Sequence, residues 1–176
     1  MARAPRLQSA APTGRGLPVF AMLLPAGSMM LALLASLVPL GSLAGQGAMP
    51  GFLLITVFFW AVERPGWLPL LPVFLAGLLI DLVSGGPVGL WALSLLLFYV
   101  AVRRERATLI KMGPSARWTA FIAGVLLTGL FAWALASLYY FTMLPPGTIT
   151  WQVVVTVVLY PVWMLVLAPM RRFVTD

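Results

Sequence analysis

Asp81 is the residue in this chain with the most chemistry to explain. The sequence holds four acidic residues, and Asp81 is the one inside an apolar block. It belongs to a run in which Gly77, Asp81 and Gly85 recur at i, i+4 and i+8, followed by Gly86, Pro87 and Gly89. On a helix that spacing makes one face small, acidic and small, and small residues let a neighbouring backbone come close. The glycines then permit a turn with positive φ, and Pro87 suits the first turn of a following helix. An ionisable side chain in an apolar helix is costly and needs a partner. Three roles are open: a cap accepting N–H bonds from Gly85, Gly86 or Gly89, a contact to another subunit, or a proton or ligand site. If it is a cap, Asp81→Asn keeps an acceptor oxygen and costs little.

The rest of the inventory argues against an enzyme. There is no cysteine and no histidine, so thiolate chemistry, the commonest metal ligand and the commonest general base are all missing. No residues suit a metal or other cofactor. Glu63 and Asp81 fall at opposite ends of one helical block and cannot act as a carboxylate pair. The Ser and Thr hydroxyls have no base beside them.

The elements that must position these residues follow from composition. The 176 residues are 62% hydrophobic and only 9% charged, against roughly 25% charged in soluble domains. The apolar residues come in long blocks without strand-like alternation, at about 17–43, 51–62, 67–83, 88–102, 117–144 and 151–170. Lipid as the surrounding solvent leaves helices or a closed barrel, and a barrel requires alternation. The expected fold is therefore all-α: a polytopic membrane bundle of six transmembrane helices over residues 17–170. A disordered tail (1–16) precedes it and a short tail (171–176) follows. Pro25 should kink the first block, with the span starting near Ala26. That block is too long for a signal-peptide core of roughly 7–15 residues, so it reads as a retained helix.

Charge placement sets the orientation. The net charge of +7 is the balance of eleven basic residues against four acidic ones. Six crossings with both termini inside put all eleven basic residues on one side, as the positive-inside rule requires. Arg103, Arg104, Arg106, Lys111 and Arg117 form the largest group, a topology-setting loop that could alternatively fold as a short helix on anionic lipid. A nucleic-acid partner is not indicated. Block 51–62 would rise only ~18 Å, short of a ~30 Å hydrocarbon core. Crossing with local thinning still costs less than burying Arg64 at the midplane of a re-entrant hairpin. In block 117–144, Ala120, Gly124, Thr128, Ala132 and Ala136 form a small-residue stripe, a packing face for a helix within the chain or of a partner.

The run from 74 to 93 resembles the signature of the MreD family, the bacterial rod shape-determining membrane proteins. Phe74, Gly77, Leu78, Leu79, Asp81, Leu82, Gly85, Pro87, Gly89, Ala92 and Leu93 match its pattern, and Trp60-Ala61 followed by Arg64-Pro65 is similar to the family's second helix and its exit. Glu63 departs from the basic residue expected there. The resemblance implies a bacterial inner-membrane scaffold without chemistry of its own, organising peptidoglycan synthesis in cell elongation. Its implied partners are an MreC-like bitopic protein, a RodA-type glycosyltransferase with its class B penicillin-binding protein, and the MreB filament, in a setting of membrane lipid. The family also looks similar in fold to the substrate-binding subunits of vitamin transporters, which makes a small-molecule-binding transporter subunit the alternative function.

Overall fold

A computed structural model describes residues 19–37 and 51–175. The expected N-terminal tail, its three arginines and the first loop lie outside the described residues. Those described form seven helices and no strand: α1 (Val19–Ser36), α2 (Phe52–Glu63), α3 (Leu70–Ser84), α4 (Leu90–Arg104), α5 (Arg106–Lys111), α6 (Pro114–Tyr140) and α7 (Gly147–Thr175). Two of them, α6 and the Gly147–Met170 part of α7, are long and apolar enough to cross a membrane, with shorter apolar helices beside them. The surface they present is apolar, with Leu127 68% and Leu165 74% exposed. Water does not favour such a surface at this extent, and lipid does.

The six longer helices alternate in direction. Arg106 meets the end of α2 and Tyr99 the turn before α3, so the α2–α3 turn, α5 and the start of α6 share one end, here the basic end. The α3–α4 turn lies at the other end, and α7 runs parallel to α2, Gly51 meeting Thr156 and Thr56 meeting Trp163. Arg171 and Arg172 are carried on α7, which continues as helix to Thr175.

Helix α2 occupies the middle. All of residues 52–62 are buried, wrapped by α1, α4, α5 and α7. Its 12 residues rise only ~18 Å, but protein rather than lipid surrounds them, so the local thinning expected for a short lipid-facing helix is not needed here. Phe58 of α2 packs on Phe98 of α4, Phe121 of α6 and Tyr160 of α7 at centroid separations of 6.4, 5.3 and 6.1 Å. Polar pins fix the register of the helices around it. The indole of Trp60 donates to Ser28 Oγ on α1 (2.7 Å), that of Trp163 on α7 donates to Thr56 Oγ1 (2.8 Å), and the Gly51 amide donates to Thr156 Oγ1 (2.9 Å). These hydroxyls in turn donate to carbonyls three or four residues back on their own helices, leaving no lone donor among them.

Several boundaries differ from expectation: α6 stops at Tyr140, and α7 starts at Gly147 and continues through residues 171–175, expected as a tail. Helix α1 begins at Val19 and runs through Pro25, not from Ala26, since proline removes only one backbone bond and such helices tolerate it. Helix α6 begins at Pro114, with proline in its first turn after Gly113. Residues 106–111, expected chiefly as loop, form α5.

Candidate functional site

The turn joining α3 to α4 brings the sequence's acidic motif together. Helix α3 ends on Gly85 in the left-handed region (φ 66°), the usual place for glycine after a helix. The chain then crosses Gly86 and Pro87 to Gly89 (φ 98°, ψ −9°), and the Leu90 amide donates to the Pro87 carbonyl at 3.2 Å. A positive φ two residues after Pro87 is the glycine position of a type II turn. Pro87 therefore opens the turn and does not occupy the first turn of α4 as expected. Gly86 has no left-handed backbone and meets only Ser84 Oγ, 3.6 Å from where a Cβ would stand.

Asp81, 1% exposed, reaches past this turn to the start of α4. Its Oδ2 accepts the amides of Gly89 (2.9 Å) and Ala92 (3.2 Å), and its Oδ1 accepts that of Trp91 (2.8 Å). With Leu90 bonded to Pro87 and Leu93 bonded to the Gly89 carbonyl, each amide from Gly89 to Leu93 has an acceptor. A helix start leaves its first amides without intrahelical partners, and their dipoles favour a carboxylate. Asp81 thus caps α4 from α3. The donors expected at Gly85 and Gly86 are not the ones used, because the chain path carries those residues past the carboxylate before α4 begins.

Gly77 makes this reach possible. A Cβ there would overlap the Ala92 Cα and lie 2.8 Å from the Ala92 nitrogen and 2.9 Å from the Trp91 carbonyl oxygen. The backbone of α3 consequently runs directly against the first turn of α4, and one helical turn later Asp81 is within hydrogen-bonding range of its amides.

The other two residue sets are placed elsewhere. On α6, Thr128 and Ala132 are buried and Ala120, Gly124 and Ala136 half-buried. The Cβ position of Gly124 lies 2.8 Å from the Phe98 ring, so this part of the stripe packs on α4 of the same chain. Gly129, outside the stripe, meets α7 at Val153.

At the basic end, Arg106 donates to the Val62 and Glu63 carbonyls (2.8 and 3.3 Å), closing α2. Arg117 donates to the Leu109 and Ile110 carbonyls (2.9 and 2.8 Å) and pairs with Glu63 at 3.6 Å. Arg103 lies over the Tyr99 ring at 5.8 Å, while Arg104 and Lys111 are exposed. Two arginines read as topology markers, Arg106 and Arg117, therefore also fasten helix ends, and Arg103 packs on Tyr99 of its own helix. The sequence reading missed these fastenings, as it missed the Trp60–Ser28 and Trp163–Thr56 pins. Nothing in the spacing of a tryptophan on one helix and a hydroxyl on another signals such a pair.

The family described as rod shape-determining protein MreD has a sequence model that matches residues 18–170, most of the chain. No curated protein and no solved structure matches it.

Proposed function

Since the chain belongs to the MreD family, which serves rod shape determination and is not known as an enzyme family, we propose that it is a non-catalytic inner-membrane scaffold of the cell-elongation complex. The match over residues 18–170 carries this reading. In it, the chain crosses the membrane six times with both ends in the cytoplasm. It holds a bitopic MreC-like protein, a RodA-type glycosyltransferase with its class B penicillin-binding protein, and through them MreB, so that lateral peptidoglycan synthesis stays organised. The bonding of Asp81 supports a structural part for that residue, since both of its oxygens accept amides of α4 and its cap within the chain.

The test is replacement in a rod-shaped bacterium whose own family member is depleted. Expression of this chain should restore rod shape, and affinity purification from mildly solubilised membranes should recover a single-pass partner. An abundant, inserted chain that leaves cells round and purifies alone would overturn the proposal. Retention of a polar small molecule through purification would point to the transporter-subunit alternative.

A further inference from the structure

Helices α6 and α7 touch at one end and part at the other. Far from the basic end, the Cβ position of Gly129 lies 3.0 Å from Val153 and 3.4 Å from Ile149. Toward the basic end the two helices leave a cleft of about 260 Å³, lined by Pro114, Arg117, Tyr160, Met164, Leu165 and Ala168. The walls are mainly apolar, and the fixed cation is Arg117. Two of its five N–H groups go to the Leu109 and Ile110 carbonyls, and its contact with Glu63 is a 3.6 Å ion pair, longer than a hydrogen bond. The side chain is 22% exposed and already held in one orientation, so little rotamer freedom remains to be lost on binding. Glu63 does not neutralise this end of the bundle, where Arg64, Arg103, Arg104, Arg106, Lys111 and Arg117 face only Glu63 and Glu105 among the described side chains.

A cation at the mouth of an apolar slot fits an amphiphile with an anionic head and a hydrocarbon tail. A soluble anion would find, beyond Arg117, only the mostly buried Tyr160 among otherwise apolar side chains. An acidic peptide would need this surface in water, yet Trp118 and Ile110 are exposed at the same level, as suits side chains sitting in the lipid interface. We propose that the α6–α7 cleft binds one anionic phospholipid, with an acyl chain along Met164 and Leu165 and the phosphate at Arg117.

Native mass spectrometry of the full chain, purified with defined lipids, tests this. Phosphatidylglycerol and phosphatidylethanolamine with identical acyl chains are offered together. The expected result is about fivefold preferential retention of phosphatidylglycerol, the scale of one basic contact to an anionic headgroup. Ala168→Trp, which fills the cleft, should abolish the retained lipid, and Arg104→Gln, outside the cleft, should leave it in place. Equal retention of the two lipids, undiminished retention in Ala168→Trp, or equal loss in Arg104→Gln would overturn the assignment. If Ala168→Trp does not insert, the headgroup comparison on the unaltered chain decides alone, with preference supporting the site and parity overturning it.

Discussion

Asp81 places a carboxylate within an apolar helix, and the three amides it accepts explain how it is accommodated there. The pattern also changes the expected effect of its amide analogue. An asparagine oxygen could still take the Gly89 and Ala92 amides, but its NH2 would then face the Trp91 amide, donor against donor. Asp81→Asn should therefore lower stability by about 1–3 kcal/mol, and Asp81→Leu, which orphans all three donors, by more. Thermal unfolding of the purified variants reads this order, and an Asn variant as stable as the parent would mean that the bond to Trp91 is dispensable. The motif's composition was legible in the sequence, because a carboxylate among glycines between apolar blocks has few uses. Of its donors, Gly89 was among those expected, and Trp91 and Ala92 were not legible. They depend on where α4 begins relative to the turn, and the left-handed Gly89 puts that start at Leu90, three residues after the proline.

At the scale of the helices, close approach and ordinary packing make different demands on a substitution. Gly77 faces backbone, which cannot move aside, whereas Gly124 faces the edge of the Phe98 ring and Gly27 faces open space. Gly77→Ala should cost about 1–3 kcal/mol by overpacking, and Gly27→Ala should gain about 0.5–1 kcal/mol from reduced backbone freedom in the unfolded chain. Gly124→Leu should be destabilising where Leu126→Phe, at a position 53% exposed, is tolerated. One series of unfolding midpoints in detergent checks all four, and a tolerated Gly77→Ala would refute the tight α3–α4 crossing. The positions of α2, α3, α4, α6 and α7 were readable from the apolar blocks to within about five residues, while the start of α1 and the existence of α5 were not. The burial of α2 was not readable. A helix apolar all round looks the same in sequence whether lipid or protein covers it, and only the packing of α1, α4, α5 and α7 shows which.

Over the whole molecule, the alternation of helix direction gathers the described basic side chains at one end of the bundle. Reporter fusions after Asp176 and within residues 107–115 should accordingly report the cytoplasm, and a fusion at Gly147 the periplasm. A periplasmic C-terminus would remove the six-crossing arrangement. The same packing has a consequence for the order in which the protein is made. Helix α2 leaves the ribosome well before α7, yet two of its pins, Gly51 to Thr156 and Thr56 to Trp163, come from α7, more than a hundred residues later. Until α7 has been synthesised, the middle of the bundle has an uncovered side. A chain that stops before Gly147 can insert its first helices and still never close around its own centre.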